Sequence, residues 1–385
     1  MGRRGSARQA ALTYPRYMSV NLGMPQIAAG ARGSGALPAR PVDAGPGLID
    51  RFGRSATDLR ISLTDKCNLR CTYCMPAEGL DWLNKAQVLT DTEIVRLVDI
   101  AVNHLGVREL RLTGGEPLVR AGLADIITSV RNNHPDLPVS LTTNGLGLDK
   151  KARILKDAGL SRINVSMDSL HPETFAQLTR RPFLDRVLKG IEEADRVGLG
   201  LIKINAVLMR GINDLEASGL LEWAVSHGYE LRFIEQMPLD ADHGWTRQNM
   251  ISAAEIRALL EQEFVLTADP RRRDGAPAER WEVRRRSAPG VVVGTVGIIA
   301  SVTEPFCADC RRTRITAEGK VLSCLFSHEE TDLRDLLRSG AGDEAIAERW
   351  REAMWAKPRA HGMHHTGLGA EDFVQPERSM SAIGG

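Results

Sequence analysis

The chain lacks an excess of either charge. Its 385 residues carry 50 Lys and Arg against 49 Asp and Glu, a formal net charge of +1. Such a protein has no global field to gather nucleic acid or an acidic membrane, so any anion it binds must be met by a local cluster. It also lacks a long apolar run. The longest uncharged apolar stretch, 288–302, is broken by Gly290, Gly294 and Gly297. A membrane helix needs about 20 predominantly apolar residues, so the stretch reads as paired strands of a soluble protein. Aromatic residues are sparse at 5 %, and none interleaves the arginine runs 271–273 and 284–286. Those runs therefore read as solvated loop charges rather than a nucleic-acid surface. No solenoid repeat is present.

Cysteine is scarce but clustered. Cys67, Cys71 and Cys74 form one triplet and Cys307, Cys310 and Cys324 another, more than two hundred residues apart. A secreted disulfide scaffold would be short and cysteine-dense. Two triplets in a long chain point instead to two metal sites in a reducing, cytoplasmic setting.

Residues 1–42 stand apart, with six Arg, no Lys and no acidic residue. The segment 1–49 is expected to be a disordered or mis-annotated extension; an Arg-rich, acid-poor start also fits a transit peptide. From Asp58 the pattern is regular. Strand-like runs at 59–63, 109–113, 139–143, 162–166, 201–208 and 230–235 alternate with amphipathic segments. Thr90 with Glu93 and Ser252 with Glu255 form capping boxes, and Pro172 suits a first helical turn. Six β/α units predict a parallel sheet with right-handed crossovers, either curled into a full or partial barrel or left open. Sites then collect at the C-terminal ends of the strands. The expected division is a barrel over 50–239, a smaller region over 240–340 carrying the second triplet, and a C-terminal helix and tail over 341–385.

The first triplet has spacing C-x3-C-x2-C and follows the first strand directly. Structural zinc is closed by four ligands, and no fourth is near in sequence, so an iron–sulfur cluster with one open iron fits better. The second triplet, C-x2-C-x13-C, has only His328 as a nearby fourth candidate, and His328 reads as a polar residue at a helix start. His361, His364 and His365 read as solvated or tail-packing groups.

Cys67–Cys74, with Tyr73 before the last cysteine, resembles the cluster motif of the radical S-adenosylmethionine (SAM) enzymes. The resemblance implies a partial (β/α)6 TIM-like barrel and an open iron chelated by SAM. One electron from the cluster then breaks the sulfonium C–S bond to give a 5′-deoxyadenosyl radical. The Gly114-Gly115-Glu116-Pro117 turn resembles the family segment that receives the SAM amino group. Strands three to six also end on distinctive residues: Thr142–Gly145, Ser166–Ser169, Lys203 within the fifth strand, and Met237-Pro238.

Four features together resemble the GTP 3′,8-cyclase family of molybdenum cofactor biosynthesis, over about Asp50 to Gly385. They are Leu59–Asp65, the two triplets, the Cys310–Arg314 run and the Met380–Gly385 end. That resemblance implies two 4Fe–4S clusters, on Cys67, Cys71 and Cys74 and on Cys307, Cys310 and Cys324. It implies that Tyr73, Gly115, Ser166 and Met237 line the SAM pocket. Arg60, Arg111, Thr142, Lys203, Arg312, Thr313 and Arg314 would contact GTP. Arg60, Arg312 and Arg314 would also assist catalysis, and Gly384-Gly385 would reach the active site. A flavodoxin- or ferredoxin-type electron donor, a following enzyme that makes cyclic pyranopterin monophosphate, and a homodimer belong to the same expectation. No nucleic acid or membrane partner is expected. Two other readings stay open: a peptide-modifying radical SAM enzyme with two clusters, and a zinc-stabilised binding module.

Overall fold

Six short runs of alternating residues become the six central strands, each within one residue of the expected bounds. A computed structural model describes residues 39–41, 43–360 and 374–383. The strands are β1 (Asp58–Ser62), β2 (Glu109–Thr113), β3 (Val139–Thr143), β4 (Arg162–Ser166), β5 (Ile202–Val207) and β6 (Glu230–Ile234). All are parallel to their neighbours. One set of alternating side chains, including Leu59, Ile61, Leu110, Leu112, Ile163, Val165, Ile204 and Phe233, is fully buried. Each such aliphatic or aromatic group contributes roughly 1.5–3 kcal/mol by leaving water. The other set is polar and turns toward the site.

Between the strands run α1 (Asp91–Asn103), α2 (Leu123–Asn133), α3 (Leu148–Asp157), α4 (Pro172–Thr179), α5 (Leu184–Arg196) and α6 (Ala217–Ser226). Both expected capping boxes form, at Thr90/Glu93 before α1 and at Ser252/Glu255 before α7 (Ala253–Leu260). Pro172 opens α4 directly after His171.

The chain beyond residue 240 adds strands to both edges of this sheet. β7 (Phe264–Ala268), β8 (Glu279–Arg285) and β9 (Gly294–Ile299) form an antiparallel set whose member β9 lies parallel to β6. β10 (Arg312–Ile315) lies parallel to β1, followed by β11 (Lys320–Leu322) and β12 (Thr331–Asp332). The described residues thus form one twelve-stranded sheet, β12-β11-β10-β1-β2-β3-β4-β5-β6-β9-β8-β7. Its middle eight strands are parallel. β9 and β10 do not pair, yet Ile299 of β9 and Arg312 and Arg314 of β10 line one cavity. The sheet therefore curls into a partial barrel. α8 (Arg334–Arg338) and α9 (Asp343–Trp355) follow, and a one-turn helix, α10 (Met380–Ile383), ends the described chain.

Three expectations need correction. Residues 39–41 and 43–49 are not a loose extension: Leu48 is buried in the core, Arg40 pairs with Glu348, and Arg351 Nε donates to the Pro46 carbonyl at 2.7 Å. Leu48 anchors this segment in the core, and the two arginine contacts fasten it to α9. The stretch 288–302 supplies only β9; its antiparallel partner β8 lies outside it, because residues 286–293, with Pro289 and Gly290, form the turn between them. His328 opens no helix, since residues 327–330 form the bend before β12. Residues 1–38, and His361, His364, His365, Gly384 and Gly385, lie outside the described residues.

Candidate active site

A cavity of about 310 Å³ sits at the C-terminal ends of the parallel strands, and all six cysteines border it. All six are half-buried free thiols.

The first triplet occupies the loop after β1. Cys74 and Met75 both donate their amides to the Cys71 carbonyl, at 2.9 and 3.0 Å, which curls the loop tightly. From below, Arg70 and Thr72 donate to the carbonyls of Thr179 and Leu178. Arg180, at a left-handed φ of 54°, returns Nη1 to the carbonyls of Met75 and Arg70. The Gly114-Gly115 turn presses on the same loop: the Gly115 amide donates to the Thr64 carbonyl at 2.7 Å and Glu116 to that of Lys66 at 2.8 Å. A Cβ on Gly115 would lie 2.4 Å from the Asp65 carbonyl oxygen. The glycines are thus required by backbone-to-backbone contact, which the sequence alone did not reveal.

Glu116 is fully buried and joins the ends of β2 and β3, accepting from Thr143 Oγ1 at 2.6 Å and from the Asn144 amide at 2.7 Å. Burial pushes its carboxyl up to about 7, against the pull of those donors. Tyr73 donates to Asp168 Oδ2 at 2.6 Å, and the Val207 amide donates to Oδ1 at 2.9 Å. Asp168, raised to about 6 by burial, thereby ties the cluster loop to β4 and β5.

The two triplets differ electrostatically. Burial pushes the Cys67 thiol up to about 11 and Cys74 to about 12, and raises Cys71 well above the usual thiol range. Cys310 goes the other way: burial opposes its ionisation, but Lys357 and Arg312 outweigh it and hold the thiol at about 7. Lys357 is itself buried and donates to the Arg312 carbonyl at 2.7 Å. Arg312 Nη1 lies 3.5 Å from Cys310 Sγ, and its guanidinium stacks on Phe306 at 4.8 Å. Among the described residues no three His, Cys, Asp or Glu converge on a single-ion site. A cubane asks for something else, three soft thiolates each taking a different iron, and each triplet offers that donor set.

Between the triplets the cavity wall is cationic. Arg60, Arg111, Arg232, Arg312 and Arg314 all line it. Burial first, then the neighbouring Arg111, lowers Arg60 to about 9. Burial with Arg60 and Arg312 lowers Arg314 to about 9, and burial brings Arg111 and Arg232 to about 10. All four remain charged at neutral pH. The Nε atoms of Arg60, Arg111 and Arg232 are buried and have no hydrogen-bond partner among the described residues. Crowded, desolvated cations with spare donors are arranged for a polyanion, which suits a nucleoside triphosphate.

Of the expected site residues, the cavity gathers Tyr73, Gly115, Ser166, Met237, Arg60, Arg111, Thr142, Arg312, Arg314 and the six cysteines. Two do not reach it. Lys203 is held by Glu230 at 2.8 Å, one strand layer below Asn205, so its charge is answered beneath the cavity. Thr313 points to the opposite face of β10, fully buried, where it accepts from Trp350 Nε1 at 2.9 Å. Arg232 was missed; its signal was an arginine between the apolar Leu231 and Phe233. Met380 and Ser381 of α10 also line the wall.

Three thiolates in the loop after the first strand of a curled parallel sheet define a radical SAM enzyme. The Radical SAM superfamily matches residues 61–224, and Molybdenum Cofactor Synthesis C matches residues 229–363. The chain belongs to the GTP 3′,8-cyclase family. It is 72 % identical to the GTP 3′,8-cyclase of Paenarthrobacter nicotinovorans over 352 residues, 90 % of this chain and 99 % of that one. It is 57 % identical to that of Streptomyces coelicolor, over 88 % of this chain and 96 % of the relative. In fold it is similar to Streptococcus suis SuiB bound to the precursor peptide SuiA. That match has TM-score 0.54 and 16 % identity, and covers 80 % of this chain and 66 % of that one.

Proposed function

We propose that this cavity carries out GTP 3′,8-cyclisation, converting GTP to 3′,8-cyclo-7,8-dihydroguanosine 5′-triphosphate. The carrying observation is that both triplets and five arginines open on one cavity. When bound, the first cluster would supply the electron that cleaves SAM to methionine and an adenosyl radical able to take the ribose 3′ hydrogen; C3′ would then close on guanine C8, and one further electron and a proton from the reductant and solvent would complete the product. Cys67, Cys71 and Cys74 hold that cluster, and Tyr73, Gly115, Ser166 and Met237 wall the SAM side. Cys307, Cys310 and Cys324 hold the second cluster on the guanine side.

GTP carries about four negative charges at neutral pH. Arg60, Arg111 and Arg232 stand across the barrel floor to receive them, with Arg312 and Arg314 on the adjacent strand. Arg60, Arg312 and Arg314 keep positive charge beside the reacting nucleotide. The functional division falls near residue 240: the barrel generates the radical and receives the triphosphate on Arg60, Arg111 and Arg232, and the following region adds Arg312, Arg314 and the second cluster.

Among the described residues no helix is long and apolar enough to cross a membrane. A cytoplasmic setting, a small electron-transfer protein as reductant and a following enzyme that consumes the cyclised nucleotide complete the proposal. A homodimer belongs to it as well.

Iron and acid-labile sulfide after anaerobic reconstitution test the cluster assignment. About eight irons per chain are expected, roughly four for each cubane. Product from GTP, SAM and dithionite tests the reaction, and Cys71→Ser should abolish SAM cleavage. Zinc with little iron would replace this reading by a structural binding module.

A further inference from the structure

We propose that Arg378 is a positioning residue that couples the seating of the C-terminal strap, residues 374–383, to the loop carrying Cys324. The proposal rests on reading the cavity as the cyclase site. The strap crosses the barrel mouth. Gln375 Nε2 donates to the Asp240 carbonyl, the Met380 amide donates to the Leu239 carbonyl at 3.1 Å, and Ser62 Oγ donates to the Ile383 carbonyl at 2.6 Å. Met380 and Ser381 then face the cavity.

What fastens the strap on the other side is a single guanidinium. Arg378 Nε lies 2.5 Å from Glu330 Oε1, and Nη2 lies 2.8 Å from Glu330 Oε2 and 2.7 Å from Glu318 Oε2. Glu318 sits in the turn before β11 and Glu330 directly before β12. Between them runs 323–329, whose Cys324, Leu325 and Phe326 line the cavity. Arg378 therefore grips both ends of the excursion that presents the third cysteine of the second triplet.

The coupling follows from charge and shape. The three side chains are 13–23 % exposed. If the strap lifts, two carboxylates face each other, and among the described residues Lys320, 3.1 Å from Glu330, is what answers them. If the loop moves, the fork loses both partners. A lysine could supply charge but not the two-pronged geometry. Val374, at 60 % exposure, adds little apolar hold, whereas Ile383 is buried at the far end, so the ion pairs fasten the middle of the strap between that anchor and its start.

Amide hydrogen exchange on the full-length cluster-loaded protein tests this without reference to turnover. Arg378→Ala should speed exchange at least tenfold in 374–383 and in 323–330 together, with the β1–β6 strands unchanged. Arg378→Lys, which keeps the charge and safeguards folding, should give a smaller rise in the same two segments. The swap Arg378→Glu with Glu330→Arg should restore protection relative to Arg378→Glu alone. In turnover the alanine variant should raise KM for GTP and release more 5′-deoxyadenosine per product. Faster exchange in the strap alone, no change in either segment, or a swap no better than the single reversal would each overturn the proposal. If the wild type makes no cyclised product, the functional reading fails while exchange still decides the coupling.

Discussion

Arg60 sits 7 % exposed among Arg111, Arg312 and Arg314, with Asp58 at 3.7 Å as its partner among the acids. A side chain placed this way is held against its own electrostatics, as groups at functional sites often are. Arg60→Gln should therefore leave the ligand-free protein as stable as the wild type or raise its melting temperature by a few degrees. The same change should weaken GTP by about 10- to 150-fold, the loss expected for a charge-assisted contact of roughly 1.5–3 kcal/mol. Thermal melts with and without GTP read both signs at once; a lower ligand-free melting temperature would contradict the account.

Glu116 provides a second residue-scale prediction. Its carboxyl titrates at about 7 in the folded chain against an ordinary 4.5, with burial the leading cause. The folded state thus holds a proton that the unfolded chain releases within that window. The stabilising contribution is full below about pH 4.5 and is lost as pH rises through about 7. Melting temperatures of wild type and Glu116→Gln, measured anaerobically from pH 5.5 to 8, should converge or cross in the variant's favour as pH rises. Parallel curves would show that Glu116 does not set the slope.

At the scale of elements, the seam between the β1 loop and the β2 turn decides whether the first cluster can be held. Gly115→Ala would drive a Cβ into the Asp65 and Lys66 carbonyls, at 2.4 and 2.5 Å, so the turn must back away from the loop. Reconstituted iron should fall from about eight toward four per chain, with the second site still filled. By contrast Thr90→Ala removes only a helix cap and should cost about 1 kcal/mol with iron content intact.

The six central strands were legible because period-two alternation is a local signal, and the two capping boxes were legible for the same reason. Pairing of β10 with β1 was not, since residues 312–315 and 58–61 are joined across some 250 residues by contacts that leave no trace in either segment. The cysteines announced themselves by spacing. Thr313 was drawn into the site by its arginine neighbours, although strict alternation puts it on the far face from Arg312 and Arg314. Lys203 was on the right face but too far down its strand. Arg232 carried a readable signal, a charge inside an apolar strand, that no motif highlighted. The roles of Glu116, Asp168 and Arg378 depend on partners 27 to 95 residues away.

For the whole molecule, the decisive feature is that one C-terminal region completes both sides of the barrel. β9 covers the β6 edge and β10 the β1 edge. A chain ending at residue 239 would keep six strands and leave two long parallel edges bare, an invitation to edge-to-edge association. It should elute as aggregate in size-exclusion chromatography, whereas the full chain elutes as a discrete species. A discrete, soluble truncation would mean the six-stranded unit stands alone.

The same arrangement imposes a schedule on the ribosome. The sixth strand ends at Ile234 and the last of the two covering strands at Ile315, so 81 residues must still be made after the six-stranded sheet has emerged. At synthesis rates of roughly 5–20 residues per second, the unfinished barrel waits on the order of ten seconds with both flanks open. Arg312 and Arg314 cannot close their side of the cavity in that interval. Cluster insertion into the first triplet has its easiest access then, before the later strands and the strap seal the mouth.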